Sequence, residues 1–357
     1  MSQREEYPSL DTAPAGSIRF NTDSSKMEIY NGEQWWEIDS TSPEEQTGSG
    51  DGDGGAGGSA RGVWFGAESP SMTNRIQYIT IQTTGDAIDF GDMTDQRTEL
   101  GAFGSRTRGF SIGGFFGSQP TEYTNTIDMI TFASTGNATD FADAAYQRGQ
   151  RASCTSRTRA VTGGGAFGGN QTFNNIEYFT MASQADGLDF GDLSITTRGV
   201  AACSSQTRGI FFLGDNAGSS KVNTIEYVTI STTGNSADFG DALTNARYSS
   251  GCSNSTTGLK FGGTSDDFNN SIDSILISTL GNAVDFGDMI DNPATNFGPT
   301  GCSSKTRGVV AGGTTPSLTN RISYVDIATK GNANDFGDLL EANQYLAGAS
   351  NGHGGLG

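Results

Sequence analysis

Hydrophobic and polar positions along this chain recur in four-part units, and one unit can be read directly. Arg208-Gly-Ile-Phe-Phe-Leu-Gly214 is a short apolar run ending at glycine, and Ile225-Glu-Tyr-Val-Thr-Ile230 carries apolar residues on both faces. A turn-type Thr-Gly-Asn leads to Ala237-Asp-Phe-Gly-Asp241, and Gly199-Val-Ala-Ala-Cys-Ser-Ser205 is the cysteine-bearing member of the set. Short runs bounded by glycine and asparagine predict β-strands, and apolar residues on both faces predict strands sandwiched between neighbours. The Asp-Phe-Gly-Asp segment recurs with its phenylalanine at Phe90, Phe141, Phe190, Phe239, Phe286 and Phe336, at intervals of 51, 49, 49, 47 and 50 residues. A fixed period near 50 marks one supersecondary unit copied in an array.

The ends of the array predict its shape. The first unit begins at Arg61 with no cysteine-type strand before it, whereas the last runs on into Tyr345-Leu-Ala-Gly-Ala-Ser-Asn351, which aligns with that strand. The C-terminus therefore holds the piece that the first unit lacks, as in a ring that removes its own sheet edges. The expectation is an all-β fold in which residues 61–357 form a six-bladed β-propeller closed by the C-terminal strand.

Ahead of it, residues 1–39 read as a small β meander. Ile18 and Phe20 alternate with polar residues, as do Met27 and Ile29, and Trp35 and Trp36 follow an Asn31-Gly32 turn. So short a meander cannot bury enough apolar surface alone, so Phe20, Ile29, Trp35 and Trp36 are expected to pack on copies of themselves, another protein or the propeller. Residues 40–60, rich in Gly and Asp, read as a flexible tether.

Composition changes this picture little. Fifty-two glycines are explained by repeated turns, and a formal charge of −19 repels phosphate backbones, which excludes nucleic acid as an expected partner. No apolar run approaches the roughly 18 residues of a membrane span, and the start Met1-Ser-Gln-Arg-Glu-Glu6 does not resemble a signal peptide, so the protein is expected to be made in the cytoplasm.

The candidate chemistry is repeated, and repetition argues for structure. Cys154, Cys203, Cys252 and Cys302 share one position in successive units, with Phe103 and Ala349 in the others. Equivalent points on neighbouring blades lie beyond the roughly 7 Å Cα separation a disulfide tolerates, so reduced, buried thiols near the axis are expected, and no metal site. Asp-Phe-Gly is also the magnesium signature of protein kinases, but the chain lacks their phosphate and catalytic loops. The phenylalanine is expected to fill the space between blades while the aspartates cap the turn, with a calcium-binding ring as the alternative. Arg61, Arg108, Arg159, Arg208 and Arg307 occupy another shared position, broken by Thr257. They are expected to pair with aspartates in an ion-pair ring, the alternative being a basic ring for an anionic ligand. The single histidine, His353, lies in a Gly-rich tail, so histidine-assisted nucleophilic catalysis is not expected. No catalytic residues and no cofactor are assigned.

Two resemblances follow from these residues. Gly312-Gly313, Asn320-Arg-Ile-Ser-Tyr324 and Asp335-Phe-Gly-Asp-Leu339 together resemble the kelch repeat, with Phe336 where kelch has tryptophan; the likeness spans 61–351 and implies that the cysteine strand is innermost. The Thr-Arg-Gly, Gly-Gly, Ile-x-Tyr and Thr-Gly-Asn-Ala-x-Asp-Phe-Gly-Asp series at 306–338 is similar to virion structural proteins of tailed, marine cyanobacterial-type phages. Ala13–Thr22 with Tyr30–Trp35 is similar to short β modules of phage tail-fibre proteins. These likenesses imply a non-enzymatic virion protein, a fibre adhesin or capsid-decoration component located in the virion. Its implied partners are other virion proteins, through the N-terminal module as a homo-oligomer (trimer), and host-surface polysaccharide. A carbohydrate-cleaving propeller enzyme is the alternative.

Comparing the units with one another suggests where recognition sits. The Thr-Gly-Asn turns are nearly constant, whereas the loops after the glycine pair and the links after Asp-Phe-Gly-Asp vary, and a meander places these two variable sets on one side. Phe115, Phe116, Tyr123, Phe167 and Phe173 in those loops are expected to be exposed and to stack on sugar rings.

Overall fold

A computed structural model of the chain describes residues 14–21, 26–37, 60–68, 71–117, 122–168, 171–216, 218, 220–265, 270–290, 298–315 and 317–357. They fall into two units, divided between residues 47 and 48. Of the expected tether, all but Ala60 lies outside the described residues. Ala60 itself is fully buried, and its carbonyl accepts from Ile81 N at 2.9 Å, so the first repeat starts one residue earlier than expected.

The N-terminal unit is a three-stranded antiparallel sheet, Ile18–Asn21, Lys26–Tyr30 and Trp35–Glu37. The last turn is set by Asn31, whose Oδ1 accepts from Glu33 N and Gln34 N at 2.8 Å, with Gly32 at φ +102°.

The second unit is a six-bladed β-propeller. Among the described residues, its blades are antiparallel meanders in the order innermost, second, third and outermost strand. The blade numbering used below starts from Arg61–Ala67, Thr73–Thr80 and Ile88–Asp92, to which the C-terminal strand Ala347–Ser350 adds the innermost member. The ring is thus closed by hydrogen bonds between the two ends of the array. Blades 2 to 6 begin with the innermost strands Gly101–Gly104, Ala152–Thr155, Ala201–Ser204, Ser250–Ser253 and Thr300–Ser303, each packed against the next around the axis.

The Asp-Phe-Gly-Asp segment is the outermost strand, and its sequence follows from a β-bulge. In blade 4, Ile225 pairs with Gly240 and Glu226 with Asp238, leaving Phe239 as the extra residue. The phenylalanine is turned inward: Phe239 is 2% exposed and packs beside Ile275 and Ile277 of blade 5. Such a ring contributes about 1.5–3 kcal/mol by burial. Phe90, Phe190, Phe239 and Phe336 also meet the Ile-x-Tyr tyrosine of their own blade edge-on, at centroid distances of 5.6, 6.1, 6.2 and 5.9 Å.

Against this bulge sits the turn of the next blade at the Thr-Gly-Asn position, here Leu280-Gly-Asn282. Gly281 N donates to Phe239 O at 2.9 Å, Asn282 Oδ1 accepts from Asp241 N at 3.0 Å, and Ala283 N donates to Asp241 O at 2.8 Å. The same three bonds recur from Gly136 to Phe90, Gly234 to Phe190, Gly331 to Phe286 and, across the closure, Gly85 to Phe336. A Cβ on Gly240 (φ +146°) would lie 2.5 Å from Gly281 O. The glycine is therefore required twice, by its dihedral and by its neighbour's backbone. Blade 2 carries Ala142 at this place and faces Ala185, and neither has positive φ; the clasp there keeps Gly187 N to Asp143 O at 2.9 Å and Asp143 N to Asp186 Oδ1 at 3.1 Å.

The expected arginine ion-pair ring is corrected by the structure. Arg159, Arg208 and Arg307 donate to main-chain carbonyls of the following blade, at Ile230, Ile277 and Ile81, with distances of 2.9, 2.7 and 3.1 Å; Arg61 and Arg108 reach Phe132 O and Met181 O likewise. Four of the five guanidinium groups also lie over the tyrosine of their own blade, Arg61 on Tyr78, Arg159 on Tyr178, Arg208 on Tyr227 and Arg307 on Tyr324, 4.4–4.9 Å from the ring centroid. Arg108 does not, because Met129 replaces tyrosine in its blade. Among the described residues, Arg307 is the one of the five that comes near an aspartate, 3.8 Å from the exposed Asp326. A planar fork that must satisfy a neighbour's carbonyl and cover a ring has no need of a carboxylate.

In the four units that follow a cysteine-bearing blade, the glycine after Arg61, Arg208, Thr257 or Arg307 makes room for sulfur. A Cβ on Gly209 or Gly258 would meet Cys154 or Cys203 Sγ of the preceding blade, and one on Gly308 would lie 2.9 Å from Cys252 Sγ. The four thiols are free and buried, and burial raises their titration, that of Cys252 to about 12.

Near the axis a hydroxyl ladder joins the innermost strands. Ser204, Ser253, Ser303 and Ser350 Oγ each donate to the carbonyl of the equivalent residue one blade back, Thr155, Ser204, Ser253 and Ser303, at 2.9, 2.7, 2.8 and 2.6 Å. Gly104 interrupts the ladder, and there the C-terminal residues enter. His353 Nε2 lies 2.9 Å from Gly104 O and 3.1 Å from Thr155 Oγ1, while its Nδ1 accepts from Gly355 N at 3.2 Å. The short 3-10 turn Gly354–Leu356 is buried against the ends of the inner strands, and Arg157 Nε donates to Leu356 O at 3.0 Å. The tail thus covers this end of the axis.

Gly240→Ala is expected to cost more stability than Gly281→Ala. Both carry the dihedral penalty of about 1–3 kcal/mol, but only Gly240→Ala drives two backbones apart, since a Cβ on Gly281 meets nothing within 4 Å; thermal melts of the two variants check the order. Burial lowers the titration of His353 from 6.5. The unfolded chain therefore takes the proton first as pH falls below about 6.5, and stability is lost on that side. His353→Gln, which cannot be protonated, is expected to melt with a weaker pH dependence below about 6.5 than the wild-type protein.

Candidate recognition face and axial mouth

The repeated residues are spent on blade-to-blade contacts, so a site has to be sought where the units differ. The constant Thr-Gly-Asn turns, the hairpins such as Ser105–Arg108 and the C-terminal tail lie at one end of the propeller. At the other end run the links from outermost to innermost strand and the loops after the glycine pairs. The two variable sets touch there: Thr98 of a link bridges to Phe115 of a loop, Gly149 to Ala166, and Arg247 to Thr264.

These links and loops are held by buried ion pairs that do not repeat as a set. Arg97, 1% exposed, pairs with the fully buried Asp128 and donates to Gly113 O at 3.1 Å and Thr126 O at 3.0 Å. Arg151 pairs with Glu177 at 2.6 Å, and Lys260 with Asp273 at 3.3 Å. Asp215 is shared by Arg198 at 3.0 Å and Arg247 at 2.6 Å. Removing one partner of such a pair leaves a buried charge uncompensated, which costs about 3–5 kcal/mol. The loops are therefore built rigidly from below.

The expectation that five loop aromatics are exposed is corrected in part. Phe116 is exposed, at 43%. Phe115, Phe167 and Phe173 are half-buried, and Tyr123 is buried. Phe115, Tyr123 and Phe167 form one cluster, with centroid separations of 5.3 and 5.7 Å, and Phe173 lies under the guanidinium of Arg148 at 4.8 Å. The faces of these rings are largely occupied by protein, which leaves Phe116 as the exposed platform of the set.

At the centre of this face the links converge on the axis. Each link enters its innermost strand through one residue in the left-handed region: Glu99 (φ 57°), Gln150 (56°), Gly199 (62°), Tyr248 (55°), Gly298 (63°) and Tyr345 (56°). This is one position of the repeat, and it carries Glu, Gln, Gly, Tyr, Gly and Tyr in turn. Four non-glycine residues held at positive φ are a cost of roughly 1 kcal/mol or more each, sustained by the ring they form. Gln150 N donates to Glu99 O at 2.8 Å, Gly199 N to Gln150 O at 3.1 Å, Tyr248 N to Gly199 O at 2.9 Å and Tyr345 N to Gly298 O at 3.2 Å.

The ring surrounds a cavity of about 130 Å³ with Gly101, Ala152, Ser153, Ser250 and Ala347 on its inner wall. Among the described residues lining it, Glu99 is the one carboxylate. Glu99 Oε1 accepts from Gln150 Nε2 at 2.7 Å and Oε2 from Tyr123 OH at 3.1 Å; Gln150 Oε1 in turn accepts from Tyr248 OH at 3.1 Å. The rings of Tyr248 and Tyr345 meet edge to face at 5.4 Å. Burial raises the titration of Glu99, against the lowering effect of its two hydrogen bonds. A second, smaller cavity of about 60 Å³ lies deeper on the axis, lined by the cysteine position and by His353.

Sequence reasoning passed over Glu99, Gln150, Tyr248 and Tyr345. The available signal was the mixture of glycine with large polar side chains at one repeat position, which marks a positive-φ site. Among the described residues no three His, Cys, Asp or Glu side chains converge as a metal site, and no helix is long and apolar enough to cross a membrane.

In the N-terminal sheet the register separates the four expected attachment residues. Ile18 pairs with Ile29, Phe20 with Met27 and Ile29 with Trp36, so these positions share a face. Ile18, Met27 and Ile29 are exposed, at 58%, 44% and 38%. Trp35 belongs to the opposite face, where it meets Tyr30 at 5.2 Å and the guanidinium of Arg19 at 4.2 Å. Trp35 thus has two partners within one copy.

No family model matches this chain, and no curated protein matches it.

Glu99→Gln is expected to raise the melting temperature by a few degrees near neutral pH. The sign follows from linkage: a carboxyl whose folded-state titration lies above its ordinary 4.5 costs nothing below that pH and destabilises as pH rises through the folded value. The difference between variant and wild type should vanish near pH 4 and open toward pH 7 in melts across that range.

Proposed function

We propose that this chain is a non-enzymatic structural protein of a phage virion that displays a β-propeller for recognition. One observation carries the display reading: repeated side chains are consumed in holding blades together, while unrepeated ones collect on a single rigid face. A scaffold that spends its chemistry this way suits binding through one end. The virion setting rests on the likeness of the repeats and of the N-terminal module to tailed-phage proteins. The apolar face of the N-terminal sheet, with Ile18, Met27 and Ile29 exposed, supports attachment to other virion proteins or to copies of itself as a trimer. Host-surface polysaccharide is the proposed ligand of the variable face, with Phe116 as its exposed aromatic. Paired-carboxylate sugar hydrolysis needs two acids about 5–10 Å apart, and among the described residues lining the axial mouth Glu99 is the one carboxylate, so binding is preferred over cleavage.

Two variants test this reading. Deleting residues 1–45 should leave a folded propeller that no longer incorporates into particles; normal incorporation would place the anchor elsewhere. Replacing 115–124 and 166–173 by serine-glycine loops should preserve the melt and reduce adsorption at least tenfold, and unchanged adsorption would refute recognition by those loops.

A further inference from the structure

We propose that the axial mouth is a binding site for a small organic ammonium group, with the Glu99 carboxylate as its counter-ion and the Tyr248 and Tyr345 rings as its walls. This deepens the recognition reading above, since it places one ligand chemistry on the same face, but it does not depend on where the protein resides.

The argument starts from an imbalance. Beneath this face, the buried carboxylates Asp128, Glu177, Asp215 and Asp273 each have a cation beside them, while Glu226, at the same repeat position as three of them, is held by Ser194 and Ser236 away from the mouth. Glu99 is held instead by two neutral donors, Gln150 and Tyr123. The nearby Arg198 is engaged with Asp215 through both Nε and Nη2, at 3.0 and 3.3 Å. A carboxylate withdrawn from water without a cation gains most from a ligand that brings one.

The walls select the kind of cation. Tyr248 and Tyr345 line the same cavity, and an ammonium beside a tyrosine ring is attracted by its π face, more strongly when desolvated; Tyr248 already has the Arg247 guanidinium 5.1 Å from its centroid, so Tyr345 is the main π partner. The rest of the lining is mostly glycine, alanine and serine with Leu100, Val200 and Leu346, which suits short carbon stems, and the one guanidinium among the described lining residues, Arg151, is engaged with Glu177. At about 130 Å³ the mouth has room for an ammonium head and its first carbons. The rest of the ligand would extend onto the loops around Phe116. A net charge of −19 also concentrates cations near the surface.

The dihedral ring adds an independent reason. Glu99, Gln150, Tyr248 and Tyr345 sit at positive φ, although glycine fills the same position without strain in two of the copies. Large side chains at strained positions around one cavity mark a place where the side chains are wanted.

Calorimetric titration of the full chain with glucosamine, n-butylamine and N-acetylglucosamine tests the assignment. Saturable binding of glucosamine, butylamine or both is expected, with none for the N-acetylated sugar, whose nitrogen carries no charge. Glucosamine alone would indicate an amino sugar, and butylamine alone an alkylammonium such as a lysine side chain. Glu99→Gln should weaken binding at least tenfold, and Tyr345→Leu should weaken it as well. Gln150 already occupies the equivalent position at φ 56°, so Glu99→Gln is expected to fold, which a melt verifies. No saturable amine binding, equal binding of the N-acetyl form, or unchanged affinity in Glu99→Gln would overturn the proposal. Loop replacement that abolishes adsorption while amines fail to bind would sink this inference and leave the recognition reading standing.

Discussion

The fold depends on one contact, the backbone of a Thr-Gly-Asn turn laid against the bulged Asp-Phe-Gly-Asp strand of the preceding blade. It joins outermost strands that would otherwise be open edges. It also places a phenylalanine between blades and leaves no room for a side chain on the bulge glycine. The blade 2–3 junction shows the coupling, since Ala142 and the facing Ala185 depart together and the remaining clasp bonds are kept. The arginine bridge to the next blade's carbonyl, the glycine that accommodates a neighbour's cysteine and the serine ladder near the axis add three more contacts of the same kind. Each residue of a motif acts on the adjoining blade, which is why the motif repeats.

Motifs that suggest chemistry are thereby accounted for as packing. Asp-Phe-Gly is a bulge with its first aspartate in solvent. Thr-Arg-Gly is a bridge and a space, and the cysteines fill that space. The arginines needed no carboxylates because a main-chain carbonyl and a tyrosine face already satisfy the guanidinium.

The two ends of the propeller differ for a physical reason. At one end the turns are constrained by the neighbouring blade and the axis is covered by His353 and the turn behind it. At the other, links and loops answer only to the buried pairs beneath them, so their sequences differ from copy to copy. A cavity with a carboxylate, an amide and two phenols lies at this end, which makes the variable face the place to look for function.

The sequence by itself determined the period, the strand pattern, the number of units and the closure by Ala347–Ser350. These rest on local alternation and on counting, and a copied unit states them six times. It also determined that Phe239 and its equivalents would pack between blades, because an apolar ring at a fixed repeat position has nowhere else to go. Only the tertiary structure decided the partners. That Arg208 reaches Ile277 O, that Tyr123 is buried on Glu99, and that Trp35 and Ile29 lie on opposite faces depends on registers and crossings between segments tens of residues apart. The axial mouth was the least legible feature. Its residues come from successive units and meet only because the ring closes, and their shared property, a left-handed backbone, is written in the dihedral rather than in the side chain.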